Sequence, residues 1–179
     1  MVVLNPQATR GQQAAQHIEQ LALSRTHGID ELRTFELDTQ ADESHNRERL
    51  WEQLDDSGSP EKPTVVVSAG GDGGVHILLD WMMRSDTPEH IKRNPVTAWP
   101  YGNVNDFFHS THLPMFRRTP ERMFHQTFRA LHHLVRIRPL QWTVQSPQDH
   151  NIFDEPVICY GSAGATARAT ALYDSPAYR

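Results

Sequence analysis

The chain has 179 residues, a net charge of −5 and a single cysteine, Cys159. That length suffices for one domain with a proper core, but the acidic balance offers no basic stripe for nucleic acid. One cysteine excludes an intrachain disulfide and a cysteine-based zinc site. No apolar run is long enough to cross a bilayer and no secretory h-region stands at the start, so the expected location is cytoplasmic. The hydrophobic share of 37% is low for a complete domain, as in a chain that relies on additional partner surface. The eleven histidines are scattered, with His109/His112 and His132-His133 the only close groupings, and read as solvated or capping side chains.

In chain order, Val2-Val3-Leu4 reads as a first strand ended by Asn5-Pro6. A helix is expected over roughly 12 to 25, with Ala14, Ile18, Leu21 and Ala22 on its apolar face. Leu32 to Leu37 alternates and reads as a second strand. Glu43 to Leu54 reads as a polar helix with a thin stripe of Leu50, Trp51 and Leu54, and Asp55 to Pro63 as a loop. The β-branched run Val65-Val66-Val67 signals a buried strand. It leads through Gly70-Gly71-Asp72-Gly73-Gly74 into a helix over Val75 to Arg84 that places Val75, Leu78, Leu79 and Met82 inward. Val96 to Trp99, bracketed by Pro95 and Pro100, reads as a short strand, and Tyr101 to Phe108 as a second turn feeding a short helix. Thr119-Pro120-Glu121 starts a helix that runs to about His133. Val135 to Val144 and Pro156 to Tyr160 read as strands, and Gly161 to Gly164 as a turn before a small-residue helix over Ala165 to Tyr173.

Strands that alternate with helices predict βαβ units: an α/β fold, mainly a parallel sheet flanked by helices. In such sheets ligands sit at the carboxyl ends of the strands. Here those ends carry Asn5-Pro6, Thr39, the Gly70 to Gly74 turn and the Gly102 to Asp106 turn.

The stretch around Asp72 carries the most chemistry. A strand, a glycine turn and a helix N-terminus make an anion site, because backbone N–H groups and the helix dipole point at the ligand. Glycines let a bulky polyanion approach the backbone. A carboxylate among such amides would repel a nucleotide unless a cation sat between them, so Asp72 reads as acting on Mg²⁺, directly or through water. The alternative is a plain turn with Asp72 capping the helix. Asn105-Asp106 is likewise open to reading as a helix cap. Gly161-Ser162-Ala163-Gly164 has Gly164 two residues after the serine but lacks the glycine two residues before it that a hydrolase nucleophile elbow needs. Arg117-Arg118 and Arg136/Arg138 read as solvated surface.

Taken together, Asn-Pro with a following Gly11, then Gly-Gly-Asp-Gly, then Pro-x-Gly-x-x-Asn-Asp-Phe resemble the catalytic domain of diacylglycerol kinases, bacterial lipid kinases and sphingosine kinases, with NAD kinases as more distant relatives. The match of order and spacing runs from Leu4 to about Tyr173. The resemblance implies ATP and Mg²⁺ as cofactors and a lipid hydroxyl at a membrane surface as acceptor. It implies a nucleotide site built from Asn5, Pro6, Gly11, Thr39, Gly70, Gly71, Asp72, Gly73, Gly74, Gly102, Asn103 and Asn105, with Asp72 and Asp106 at the metal. It also implies a division into a nucleotide-binding α/β domain over 1–135 and, over 136–179, crossover strands and the start of a β-rich second domain. The family's general base lies in that second domain, so no catalytic base is expected in this chain.

Three positions depart from the family pattern. Gly74 stands where a Thr is usual, His76 where an Asn often follows, and Asn103 where a Thr follows the glycine of the second turn. These departures leave two readings: an ATP-dependent lipid kinase domain, or a non-catalytic nucleotide-binding or partner-binding module derived from it. NAD kinase is a weaker third.

Overall fold

The structure, a computed structural model, describes residues 1–24, 32–57, 64–103, 105, 108, 122, 140–145 and 152–157. It divides into two compact units, Met1–Ile137 and Arg138–Arg179.

The first unit is built on four strands: β1 (Val2–Leu4), β2 (Thr34–Glu36), β3 (Val66–Gly70) and β4 (Val96–Pro100). Between them lie α1 (Gly11–Ser24), α2 (Glu43–Ser57), α3 (Asp72–Met83) and the one-turn helix α4 (Glu89–Lys92). The sheet order is β2-β1-β3-β4, and every pairing is parallel. The fold class read from the β/α alternation is therefore the one observed.

Strand alternation divides the core into two layers, since successive side chains point to opposite faces. Val2, Leu4, Val67, Ala69, Trp99 and Tyr101 pack with Ala14, Ile18 and Leu21 of α1. Met1, Val3, Phe35 and Val66 pack on the other face with Leu50 and Leu54 of α2, Leu78, Trp81 and Met82 of α3, and Ile91 of α4. Each fully buried leucine here contributes about 2 kcal/mol by removing apolar surface from water.

Several boundaries differ from those expected. The α1 stripe is Ala14, Ile18 and Leu21, while Ala22 is exposed. The α2 helix continues through Ser57, so Asp55 to Ser57 are helical rather than loop. The α3 helix starts at Asp72, three residues before Val75. The α4 helix was not expected, because one turn is too short to show periodicity. Its signal was Thr87-Pro88-Glu89, the same tripeptide read as a helix start at 119–121. Pro88 is its N-cap, and the Thr87 hydroxyl donates to the Trp81 carbonyl at 2.7 Å, closing the end of α3.

The second unit contains an antiparallel pair, β5 (Leu140–Gln145) with β6 (Ile152–Val157), in register Leu140 to Val157. The second of these strands was expected from Pro156. The helices expected over 120–133 and 165–173 and the Gly161 to Gly164 turn lie outside the described residues, apart from Arg122. No helix among the described residues is long and apolar enough to cross a membrane.

Candidate functional site

Strand order creates the site. The chain leaves β1 to form β2 on one side, then returns to place β3 on the other. The carboxyl ends of β1 and β3 are thus a topological switch point, where loops diverge and leave a crevice. Leu4 is in register with Ala69, and Gly70 with Pro100, so the connections after β1, β3 and β4 begin side by side.

The connection after β1 coils back on itself. Asn5 Oδ1 accepts the Gln7 N–H at 2.9 Å, the Asn5 carbonyl accepts the Ala8 N–H at 3.1 Å, and the Ala8 carbonyl accepts the Gly11 N–H at 2.8 Å. A Cβ on Gly11 would lie 2.5 Å from the Pro6 carbonyl oxygen, so this tight coil requires glycine at its end. Pro6 is exposed on the outside of the loop.

The connection after β3 is a single residue. Gly70 still belongs to the strand, Gly71 is the N-cap with φ −100° and ψ −173°, and Asp72 is the first helical residue. The expected five-residue glycine turn is therefore a strand end, one linker and a helical turn. No side chain caps this helix, and Gly71, not Asp72, holds the cap position. Asp72 sits half-buried in the first turn, where a carboxylate interacts favourably with the helix dipole. The Gly71 carbonyl accepts N–H groups from Gly74 and Val75, while the Gly73 N–H has no acceptor among the described residues. The two glycines of this turn differ in surroundings. A Cβ on Gly74 would lie 3.2 Å from Ser68 Oγ, whereas a Cβ on Gly73 would meet nothing within 4 Å.

The connection after β4 is pressed against Gly71. A Cβ on Gly102 would lie 2.2 Å from the Gly71 Cα, so the two backbones meet with no room for a side chain. Asn105 holds this contact. Its Oδ1 accepts the Gly102 N–H at 2.8 Å and its Nδ2 donates to the Gly102 carbonyl at 2.8 Å. It is buried and adopts φ 60°, a left-handed conformation that Asn tolerates better than most residues. Both ends of its amide thus face inward to the turn. Asn103 is exposed beside it, and Asp106 lies outside the described residues.

Thr39 stands on the same edge one strand further out, after β2, and is exposed. Its turn is set by Asn46, a buried side chain that the sequence did not single out. Asn46 Oδ1 accepts the Asp38 N–H, and its Nδ2 donates to the Asp38 and Asp42 carbonyls at 2.9 and 3.2 Å.

Two further residues were missed. Tyr101 is buried and shares a 2.8 Å hydrogen bond with His17 Nδ1, joining α1 to the β4 turn. Burial pushes its phenol above the ordinary value, against the opposing pull of the Arg10 guanidinium. Arg10 reaches the same turn twice, through its backbone N–H to the Tyr101 carbonyl at 3.2 Å and through Nη2 to the Gly102 carbonyl at 2.7 Å. The only signal for Arg10 was its place as the one charged residue between Asn5 and Gly11.

The structure thus brings Asn5, Gly11, Gly70, Gly71, Asp72, Gly73, Gly74, Gly102, Asn103 and Asn105 to one edge, with Thr39 at its margin. The arrangement offers an uncapped helix N-terminus with an open face at Gly73, a half-buried carboxylate and a nearby guanidinium. Among the described residues no three histidine, cysteine, aspartate or glutamate side chains group as a metal site. Asp72 with phosphate oxygens still fits Mg²⁺, which is commonly bound by one or two carboxylates plus substrate phosphates.

None of the curated proteins matches the chain. A family model, the diacylglycerol kinase catalytic domain, matches residues 1–138, the span that contains the whole parallel sheet and its three turns. The chain belongs to the diacylglycerol kinase catalytic domain family.

Proposed function

We propose that the chain is the nucleotide-binding part of an ATP-dependent lipid kinase, which transfers a phosphoryl group from ATP to a lipid hydroxyl at a membrane surface. Family membership supports a kinase-type domain. The observation that carries the nucleotide reading is Gly73. A glycine in a first helical turn weakens the helix relative to alanine, and no protein atom needs the space that its missing Cβ leaves. A ligand against the helix N-terminus is what would fill it.

In this reading the Gly71 to Gly74 backbone receives the phosphates, and Asp72 holds Mg²⁺ against them. The metal would neutralise charge on the transferring group. Asn5 and the loop to Gly11 border the same crevice, and Asn105 keeps the Gly102 turn pressed against Gly71.

Titration calorimetry of ATP with and without Mg²⁺, on wild type and Asp72→Asn, tests this. Asn keeps the size but is a poorer ligand for a hard cation. Mg²⁺-dependent ATP binding is expected to fall about tenfold or more, with a change in stability of only about 0.5 kcal/mol from the lost dipole interaction. Wild-type binding in a mutant that melts several degrees lower would assign Asp72 a structural role instead.

A further inference from the structure

We propose that Arg10 is a phosphate-binding residue of this crevice, a fixed cation that reads the charge of the nucleotide's phosphate chain. The assignment rests on the nucleotide reading above and adds to it a residue that the motif pattern does not contain. Arg10 is exposed, yet its guanidinium is held: Nη2 donates to the Gly102 carbonyl at 2.7 Å, and its backbone N–H donates to Tyr101. Gly102 in turn touches Gly71, the N-cap of α3. The guanidinium is thereby fixed beside the uncapped helix N-terminus.

Bracing the turn does not account for it. The Gly102 carbonyl already accepts a bond from Asn105 Nδ2 at 2.8 Å, so it is satisfied without Arg10. Arg10 makes no ion pair among the described residues, although acidic side chains outnumber basic ones in this chain. A guanidinium carries five N–H donors in a planar fork, and one of them is engaged here. The rest suit a bidentate contact to phosphate oxygens. A side chain already held in place loses less freedom when it takes up a charged ligand.

The test is calorimetric titration of wild type, Arg10→Gln and Arg10→Lys with ATP, ADP and adenosine, beside a melt of each. Arg10→Gln keeps a donor for Gly102 and loses the charge. It is expected to bind ATP and ADP about tenfold more weakly and adenosine as wild type does. Arg10→Lys keeps the charge but loses the planar fork, so its ATP affinity should fall between those of wild type and Arg10→Gln, with adenosine binding unchanged. Should Arg10→Gln fold poorly, the lysine variant decides: wild-type ATP affinity, or equal weakening toward ATP and adenosine, overturns the assignment. Equal weakening toward ATP and adenosine would make Arg10 a brace only, and wild-type affinity in Arg10→Gln would also overturn it, with the nucleotide reading intact in both cases. A wild-type chain that binds none of the three ligands removes both readings.

Discussion

Helices α2 and α3 both begin at the carboxyl edge of the same sheet, and they treat their exposed N–H groups in opposite ways. The start of α2 is closed by the protein itself. Asp42 Oδ1 accepts the His45 N–H at 2.8 Å, and Asn46 ties the preceding turn together. The start of α3 has a glycine cap, no side-chain bond and a first turn of Asp-Gly-Gly. Unsatisfied N–H groups at a helix start are normally met by side chains, water or a ligand. The closed terminus serves folding, while the open one leaves donors for something else. The open terminus also needs more support from outside its own segment, since Gly102, Asn105 and Arg10 all converge on it from other connections.

The largest way to break this contrast is Gly102→Ala. A Cβ 2.2 Å from the Gly71 Cα cannot be accommodated without moving two backbones. The expected loss is about 3 kcal/mol, the upper end for overpacking, or roughly 6–12 °C in Tm for a chain of this size. A denaturant or thermal melt reads it, and a variant that melts with wild type would mean the two turns separate freely.

Next comes Asn105→Ala, which leaves the buried Gly102 N–H without its side-chain acceptor and puts alanine at φ 60°. A loss of about 2 kcal/mol is expected, together with weaker ATP binding as the turn loosens. Unchanged stability would show that the Gly102 turn does not depend on the Asn105 amide.

Gly73→Ala sharpens the contrast, because stability and binding should move in opposite directions. The space for a methyl is empty and alanine favours helix, so stability should rise by up to about 1 kcal/mol. ATP affinity should fall about tenfold if phosphate lies against that backbone. Intact binding in a stabilised variant would place the nucleotide elsewhere.

The smallest effect concerns the closed terminus. The His45 backbone N–H, and after it the Ser44 hydroxyl, hold the Asp42 carboxyl below its usual range. A folded-state value below the unfolded one contributes stability above the ordinary carboxylate value and loses it as pH falls through that range. The melting gap between wild type and Asp42→Ala should therefore be widest near neutral pH and narrow on acidification. ATP binding at neutral pH should not respond. A gap that widens in acid would contradict the cap.

Much of this molecule was legible in its residues. Alternating apolar runs and helical stripes announced the parallel α/β sheet, and the order of Asn-Pro, Gly-Gly-Asp-Gly and Gly-x-x-Asn-Asp announced the family. These signals are local, because periodicity and turn chemistry act within a few residues. The tertiary structure decided what separates one glycine from another. Gly71 and Gly102 are 31 positions apart in sequence, yet the Gly71 backbone excludes a side chain on Gly102 and a Cβ on Gly71 would sit tightly, 3.1 Å from the Gly102 Cα, while a Cβ on Gly73 beside them would meet nothing within 4 Å. It also decided that α3 starts at Asp72, that the Asn105 amide turns inward, and that Arg10 reaches across from the β1 turn to the β4 turn. Those outcomes depend on strand order, which brings the ends of β1, β3 and β4 to one crevice. Contacts across that crevice join segments far apart in the chain, so no periodicity within any one of them records what they meet.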